Sequence, residues 1–185
     1  MTIDESLATC PVVDRDGYAY LIHPLADGIP RVDPALLEEW TDWAAAQDLL
    51  AGATVLLAPE AMGIPLAAAL SLRTGIPYLV VRKRQYDLDG EEVAYCETGY
   101  GQSCLYVNGL EPDDRVVLVD DVFSTGGTLD ALLSTLAHMD VAVAGTLLFI
   151  DKGTRRAALE ERHEAPIRAM RTVTVEAGRV HVTGS

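Results

Sequence analysis

Short runs of apolar residues, each about the length of a β-strand, recur along the chain and are separated by polar or helical segments. The four clearest runs are residues 54–58, 78–81, 116–119 and 141–150. A strand exposed on one face alternates apolar and polar residues, whereas a strand buried on both faces is apolar throughout. The pattern therefore predicts an α/β fold, with an open and mostly parallel sheet that helices cover on both faces.

Helical spacing of apolar residues marks the segments between these runs. One helix is predicted to begin at Pro34, because Asp33 before it is a good N-cap and proline is favoured at the first helical position. A helix rich in small residues is expected over residues 64–73. A third helix carries leucines on one face: Leu129, Leu132, Leu133 and Leu136. Such helices connect successive strands of a parallel sheet.

The two ends of the chain are expected to be additions to a core of residues 54–152, all within one domain of 185 residues. Residues 1–50 are predicted to form an N-terminal elaboration with a short strand over residues 18–23. Residues 153–185 are predicted to form a helix and a small hairpin. The chain contains no internal repeat or low-complexity linker.

Charge and composition limit the classes of partner. The chain has 28 acidic and 14 basic residues, a net charge of −14, so we expect neither nucleic acid nor an anionic membrane as its main partner. No apolar run approaches the ~20 residues of a membrane span. Cys10, Cys96 and Cys104 are odd in number and lack metal-ligand spacing, which favours a reduced cytoplasm.

The excess of acidic residues also suggests the kind of cytoplasm in which the protein works. Only Lys83 and Lys152 are lysines, the other basic residues being arginines. Because salt screens the repulsion of a dense negative surface, a salt-rich cytoplasm, as in halophilic archaea, is one hypothesis. The alternative is an ordinary acidic protein from a GC-rich genome. Under the first hypothesis thermal stability rises steeply with KCl concentration, and full stability in low salt contradicts it.

The unusual polar residues all follow predicted strands. They are residues 59–63, 82–84, 120–128 and 151–152. In open parallel sheets ligands bind beyond the carboxyl ends of the strands, so these four segments are expected to form one site.

The segment from Asp120 to Thr128 carries the most specific chemistry. Two adjacent carboxylates are costly unless hydroxyl groups or cations meet them. Residues 124–128 place hydroxyl groups and two glycines before a helix, where backbone N–H groups and the helix N-terminus favour phosphate. Together they indicate a site for ribose 5-phosphate, although a capped strand-to-helix turn is the simpler alternative. Neither GxGxxG nor GxxxxGK[ST] occurs.

The thirteen residues 116–128 resemble the phosphoribosyl-pyrophosphate (PRPP) motif of type I phosphoribosyltransferases. The resemblance extends over residues 54–152 in element order. Over the whole chain the sequence is similar to the hypoxanthine/guanine phosphoribosyltransferase-like proteins of haloarchaea. It implies the type I phosphoribosyltransferase fold, with the N-terminal elaboration as a small hood, and a homodimer.

The resemblance also implies roles for the PRPP site. Asp120 and Asp121 would act in catalysis, bind the ribose hydroxyls and hold Mg²⁺ indirectly, through the substrate. The 5′-phosphate would lie in the loop of Ser124, Thr125, Gly126, Gly127 and Thr128. Backbone amides of Glu60, Ala61, Met62 and Gly63 would receive the pyrophosphate. Arg82 and Lys83 would bind it as well, unless the basic run is only a solvated patch.

Residues 85–103 follow without a clear core pattern and are the expected mobile lid, with a disordered surface loop as the alternative. Asp89-Gly90 is predicted to close a two-stranded arm there. Glu97 is the candidate general base, because Ser124 and Gly99 stand where the related enzymes carry an Asp or a Glu.

The purine side of the predicted site is less specific. By resemblance Lys152 would donate to the 6-oxo group of hypoxanthine or guanine; a surface lysine paired with Asp151 is the equal alternative. Phe149 or Ile150 would supply a face for the purine ring, although core burial explains them as well.

The predicted function is purine salvage: transfer of the 5-phosphoribosyl group from PRPP to a purine base, with hypoxanthine or guanine favoured. The alternatives are an adenine or xanthine enzyme and a non-catalytic PRPP-binding regulator.

Overall fold

The computed structural model describes residues 1–15, 17–98 and 101–184. Its helices are α1 (Ile3–Thr9), α2 (Pro24–Asp27), α3 (Pro34–Ala45), α4 (Gly63–Thr74), α5 (Gly127–His138) and α6 (Arg156–His163), with a 3₁₀ turn at Asp48–Leu50. The strands are β1 (Val12–Arg15), β2 (Tyr18–Leu21), β3 (Val55–Pro59), β4 (Tyr78–Val81), β5 (Glu92–Thr98), β6 (Gly101–Val107), β7 (Arg115–Phe123), β8 (Ala142–Asp151), β9 (Ile167–Glu176) and β10 (Arg179–Gly184).

The central sheet has six strands in the order β10-β9-β8-β7-β3-β4. Strands β9, β8, β7, β3 and β4 are parallel, and β10 runs antiparallel to β9 at one edge. The predicted α/β fold with a mostly parallel sheet is confirmed. The C-terminal hairpin is larger than expected, because β9 adds to the main sheet beside β8.

Two apolar cores cover the sheet, one on each face. On one face α1, α3 and α4 pack against the sheet around Trp40, Leu66 and Phe149. On the other face α5 and α6 pack around Leu118 and Leu132, together with the hairpin of β5 and β6. Since both faces are covered, the inner strands are buried along most of their length, which explains their continuous apolar sequence.

Helix α3 begins where the sequence predicts. The Asp33 carboxylate accepts a hydrogen bond from the Ala35 amide at 3.0 Å, and Pro34 occupies the first turn. The residues that it buries, Leu36, Trp40 and Ala44, follow the helical spacing of the sequence. This helix packs against α1, α4 and β9 and contributes to the apolar core on that face of the sheet.

The N-terminal elaboration contains α1, the antiparallel pair β1–β2, and α2. Its interior is organised by His23, which is fully buried. The His23 Nδ1 atom accepts from the Leu25 amide at 3.1 Å, so Nε2 carries the proton and donates to the Ser6 hydroxyl at 2.7 Å. Burial lowers the pKa of His23 to about 4, although the Asp27 carboxylate acts in the opposite direction.

The hairpin in the predicted lid region does not turn at Asp89-Gly90, so that prediction is wrong. Strand β5 begins after Gly90, and β5 and β6 are joined through residues 99–100, which lie outside the described residues. The hairpin is attached to the edge of the main sheet, since Arg82 and Tyr106 exchange two backbone hydrogen bonds of 3.1 and 2.7 Å. No helix of the described residues is long and apolar enough to cross a membrane.

Candidate active site

Asp120 and Asp121 lie at the carboxyl end of β7, near the centre of the sheet. Both side chains are half-buried, and an Asp120 carboxylate oxygen accepts the Asp121 amide at 2.9 Å. Parallel strands on both sides bring the ends of β3 and β8 to the same edge. The acidic pair therefore stands where several strand-end loops meet.

The two carboxylates are electrostatically unfavourable in this position. Burial raises the pKa of Asp120 well above its ordinary value, and the neighbouring charge of Asp121 raises it further. Burial also raises the pKa of Asp121, although a hydrogen bond with Asp120 acts against the shift. The Lys83 ammonium group lowers the pKa of Asp120. A ligand with hydroxyl groups or positive charge would relieve this repulsion.

The loop after β7 leads directly into α5. Gly126 is the N-cap of α5, with a φ of +81°, and a Cβ atom there would lie 2.9 Å from the Phe123 ring. The loop thus needs glycine at this position, both for its backbone conformation and for the close approach of Phe123. The amides at the start of α5 and the Thr125 and Thr128 hydroxyls are the groups that suit a phosphate.

A cavity of about 350 Å³ connects the predicted PRPP segments. It is lined by Glu60, Ala61, Met62, Lys83, Asp120, Asp121 and Thr128, among others. A second cavity of about 110 Å³ lies along residues 122–129. The structure therefore brings together the three segments that the sequence analysis assigned to PRPP.

Gly63 sets the distance between the loop after β3 and the acidic pair. A Cβ atom on Gly63 would lie 2.7 Å from the Val119 carbonyl oxygen and 3.4 Å from an Asp120 carboxylate oxygen. The start of α4 consequently packs directly against the end of β7, and no larger residue fits. The peptide bond between Glu60 and Ala61 in this loop is cis.

Arg82 and Lys83 differ in their surroundings. The Arg82 guanidinium lies 2.9 Å from the Glu60 carboxylate, so it joins the loop after β3 to the end of β4. Lys83 is exposed and lines the larger cavity. Of the two cations, Lys83 is thus the one presented to a ligand in this conformation.

Lys152 follows β8 and is not paired with Asp151, contrary to one of the two alternatives. The buried Asp151 carboxylate accepts the Gly153 amide at 2.9 Å and forms an ion pair with Arg156 at 3.1 Å. The Lys152 amide donates to the Phe123 carbonyl oxygen at 2.8 Å. Its ammonium group donates to the Ala19 carbonyl oxygen.

Phe149 and Ile150, the residues expected to supply a face for the purine ring, are fully buried and present no surface to a purine in this structure. The Phe149 ring packs against the His23 ring, with 4.9 Å between the ring centroids. Both residues belong to the apolar core on the α3–α4 face of the sheet. Core packing, the alternative reading, accounts for them.

Glu97 lies in β5, but its side chain and residues 99–100 lie outside the described part of the chain. Two residues of the site have no signal in the sequence. The Tyr18 hydroxyl lies 2.6 Å from the Ser124 hydroxyl, and a Cβ atom on Gly153 would lie 2.3 Å from the Ser124 carbonyl oxygen. Both contacts join segments that are far apart in the chain.

Fold and site together define an α/β protein in which a glycine-containing strand-to-helix loop lies beside an acidic pair. Residues 33–173 match the family model described as "Phosphoribosyl transferase domain". The chain belongs to the phosphoribosyltransferase family.

Archaeal relatives match over nearly the full length. The chain is 41% identical over 180 residues to a protein of Methanocaldococcus jannaschii, an alignment that covers 97% of this chain and 98% of the relative. It is 44% identical to a protein of Methanothermobacter thermautotrophicus, with 97% and 93% covered. Both relatives are named hypoxanthine/guanine phosphoribosyltransferase.

Solved structures support the fold. The adenine phosphoribosyltransferase of Giardia lamblia, solved with 9-deazaadenine, has a TM-score of 0.73 and 18% identity, with 95% of this chain and 99% of that chain covered. The Saccharomyces cerevisiae adenine phosphoribosyltransferase has a TM-score of 0.72 and 17% identity, with 89% and 94% covered. At these identities the similarity establishes the type I phosphoribosyltransferase fold.

Proposed function

We propose that this protein is a purine salvage phosphoribosyltransferase that transfers the 5-phosphoribosyl group of PRPP to hypoxanthine or guanine, releasing pyrophosphate. The observation that carries the proposal is the cavity of about 350 Å³ lined by Asp120, Asp121, Lys83 and the loop after β3. This cavity combines carboxylates that can accept hydrogen bonds from sugar hydroxyls, the Lys83 ammonium group and a strand-end loop, which are the groups that PRPP requires.

Different groups of the site bind the ribose, the 5′-phosphate and the pyrophosphate of PRPP. Asp120 and Asp121 accept hydrogen bonds from the ribose hydroxyls, which relieves the repulsion of the two desolvated carboxylates. The 5′-phosphate occupies the loop of residues 124–128 at the start of α5. Lys83 and the backbone from Glu60 to Gly63 bind the leaving pyrophosphate and stabilise its developing charge.

We propose Mg²⁺ as the cofactor. The carboxylate oxygens of Asp120 and Asp121 are ligands of the type that Mg²⁺ prefers, and a cation beside them reduces their mutual repulsion. In the described residues, no group of three or more Asp, Glu, His or Cys side chains is placed to hold a metal ion. Asp120 and Asp121 would hold the ion indirectly, through the substrate, and the ion would neutralise charge on the pyrophosphate.

For the purine base, we propose that Lys152 donates a hydrogen bond to the 6-oxo group. An ammonium group donates hydrogen bonds and accepts none, so it suits the 6-oxo group of hypoxanthine or guanine and not the 6-amino group of adenine. The names of the two archaeal relatives agree with this choice. Glu97 remains our candidate for the general base that removes the ring proton, on its sequence position alone.

The test measures pyrophosphate release by the purified protein with Mg²⁺, PRPP and, separately, hypoxanthine, guanine, xanthine and adenine. We expect turnover with hypoxanthine and guanine. A preference for adenine or xanthine would contradict the assigned base, and PRPP binding without turnover of any base would identify a regulator. We further propose a homodimer in the cytoplasm, and light scattering of the purified protein tests the oligomeric state.

Lys152→Ala tests the base-reading group separately. We expect this variant to bind IMP more weakly than the wild type, by about tenfold as for the loss of a charged hydrogen bond, while its affinity for AMP changes little. Equal losses for the two nucleotides would show that Lys152 does not read the 6-oxo group.

A further inference from the structure

Strand β2 contacts two polar side chains of the predicted site, Ser124 and Lys152. The Tyr18 hydroxyl lies 2.6 Å from the Ser124 hydroxyl. The Lys152 ammonium nitrogen lies 3.9 Å from the centroid of the Tyr18 ring and donates to the carbonyl oxygen of the next residue, Ala19. Two neighbouring residues of one short strand thus contact the phosphate loop and the end of β8.

From these contacts we propose that Tyr18 is a positioning residue that presets Lys152 for reading a 6-oxopurine. The inference rests on the proposed function, and it assigns to the N-terminal elaboration a share in base selectivity. Tyr18 acts through Lys152 and Ser124, and it needs no contact with the substrate to do so.

The surroundings of Lys152 explain why such a residue is needed. Asp151 is occupied by Arg156 and Gly153, and in the described part of the chain no carboxylate forms an ion pair with Lys152. The face of an aromatic ring attracts an ammonium group without accepting its N–H bonds in the way that a carboxylate does. One of the three N–H groups is donated to Ala19, so at most two remain for the Tyr18 ring and a ligand.

Lysine has a long and flexible side chain, so its order has to come from neighbouring groups. The Lys152 backbone is fixed by the Phe123 carbonyl oxygen, and its ammonium group by Tyr18 and Ala19. A lysine fixed at both ends loses less freedom when a purine binds. The Tyr18 ring is in turn oriented by its hydroxyl group, which is hydrogen-bonded to Ser124.

The same geometry admits an opposite reading, in which Tyr18 obstructs the base. Neither the cavity at the acidic pair nor the cavity along residues 122–129 is lined by Lys152 or Tyr18. The two readings predict opposite signs: positioning predicts that loss of the ring weakens 6-oxopurine nucleotides, whereas obstruction predicts that it strengthens them.

The experiment compares Tyr18→Leu, Tyr18→Met and Tyr18→Phe with the wild type. Calorimetry measures the dissociation constants of IMP, AMP and ribose 5-phosphate. Comparing the three ligands separates an effect on base binding from an effect on sugar-phosphate binding. Tyr18→Met removes the ring while filling more of its length, which keeps the test usable if Tyr18→Leu does not fold. Tyr78→Leu, which removes a tyrosine ring from the exposed start of β4, is the matched control.

We expect the Leu and Met variants to bind IMP about tenfold more weakly, as for the loss of a desolvated cation–π contact. Their affinities for AMP and ribose 5-phosphate should stay within about twofold, because those ligands lack a 6-oxo group for Lys152. Tyr18→Phe keeps the ring over Lys152 and should retain most of the preference for IMP. Tyr78→Leu should leave all three affinities unchanged.

Four outcomes overturn the inference. Equal weakening of IMP and AMP would show a general structural role for Tyr18, and tighter binding of IMP would show obstruction. A wild-type preference for IMP that Lys152→Ala abolishes but the Leu and Met variants retain would overturn the role of Tyr18 and leave the proposed function intact. A wild type without any preference for IMP would overturn both.

Discussion

The two halves of the proposed site are built in different ways. The sugar-phosphate side comes from continuous segments at the ends of adjacent strands, above all residues 120–128 after β7. The base side comes from single residues brought together over long separations, since Lys152 and Ala19 are 133 positions apart. A phosphate needs several amides and hydroxyls at one helix start, which one segment can supply. Selecting a base needs a few groups fixed from different directions.

The two sides also differ in how charge is managed. At the acidic pair, two carboxylates share a desolvated position, and the charge of Asp121 raises the pKa of Asp120. In the N-terminal elaboration, the buried His23 stays neutral and has hydrogen-bond partners at both ring nitrogens. The sugar-phosphate side therefore contains an unfavourable pair of carboxylates that a ligand would stabilise. The N-terminal elaboration contains a buried histidine that is neutral and fully hydrogen-bonded. The stability of the two regions should respond to pH with opposite signs.

The largest effect is expected from neutralising the acidic pair. Asp120→Asn with Asp121→Asn should weaken PRPP binding by about 100-fold or more, because each side chain loses its charge and one of its two acceptor oxygens. Calorimetry with PRPP and Mg²⁺ measures the loss. Glu161→Gln with Glu164→Gln, two exposed residues on and after α6, makes the same change of net charge and should leave PRPP affinity unchanged. Retained PRPP affinity in the Asp variant would remove the central assignment.

The same double variant should be more stable than the wild type at neutral pH, since it removes the repulsion. The folded-state pKa of Asp120 is raised, so protonated Asp120 favours the folded state, and this contribution disappears as pH rises through the raised pKa. The difference in melting temperature should therefore shrink as pH falls. A wild type that is the more stable of the two at neutral pH would contradict the argument.

For the N-terminal elaboration we expect the opposite pH dependence of stability, because of His23. Its pKa is lowered from 6.5 to about 4, so folding requires the neutral ring. This contribution is complete above pH 6.5 and is lost as pH falls toward 4, about 3 kcal/mol in all by the size of the shift. Denaturant unfolding at several pH values measures it. His23→Asn should lack this component, the exposed His181→Asn should retain it, and an unaltered pH profile in His23→Asn would refute the assignment.

Gly153 connects the two sides, and a methyl group there should disturb both. A Cβ atom would lie 2.3 Å from the Ser124 carbonyl oxygen and 2.6 Å from the Phe123 ring. We expect Gly153→Ala to lower the free energy of unfolding by about 1–3 kcal/mol, as for an overpacked core position, and to weaken both ribose 5-phosphate and IMP. At Gly184 the added atom would be 3.9 Å from its nearest neighbour, so Gly184→Ala is the control. Equal stability of both variants would disprove the close contact.

The smallest effect is expected at the ion pair of Arg82 and Glu60, whose side chains are 41% and 21% exposed. A partly exposed pair contributes less than about 1 kcal/mol to stability. Glu60→Gln should therefore change the melting temperature little but raise the KM for PRPP, because the loop after β3 loses its tie to β4. Glu38→Gln, which breaks a more exposed contact with Arg73, should leave that KM unaltered. An unchanged KM in Glu60→Gln would show that the ion pair of Arg82 and Glu60 does not position the loop after β3.

Parts of the fold that depend on local signals were predicted well. The start of α3 follows from Asp33 and Pro34, and the inner strands follow from their continuous apolar runs. Helix α1 was not predicted, although Thr2 and Glu5 form a capping box that is visible in the sequence. The misplaced turn at Asp89-Gly90 has another cause: Gly90 has a φ of +79° and does bend the chain, but the bend precedes the hairpin.

Side-chain partners were predicted less well than elements. Phe149 and Lys152 lie three residues apart, yet Phe149 is buried against His23 while Lys152 reaches Ala19. Which residues at the end of β8 join the core and which face other segments depends on what packs against them, and a run apolar throughout carries no such information. Likewise, the pairing of Asp151 with Arg156, and not with Lys152, depends on how α6 returns over the sheet.

The order of residues alone is enough to derive the α/β class, the position of the phosphate loop and the acidic pair. These depend on interactions between neighbours in the chain: strand periodicity, helix capping, and adjacent charges followed by glycines. Tertiary structure alone decides that Tyr18 lies against Ser124 and Lys152, that Gly153 must be a glycine, and that Lys83 rather than Arg82 lines the cavity at the acidic pair. Those contacts join distant segments, and they exist only after the sheet and the N-terminal elaboration have packed together.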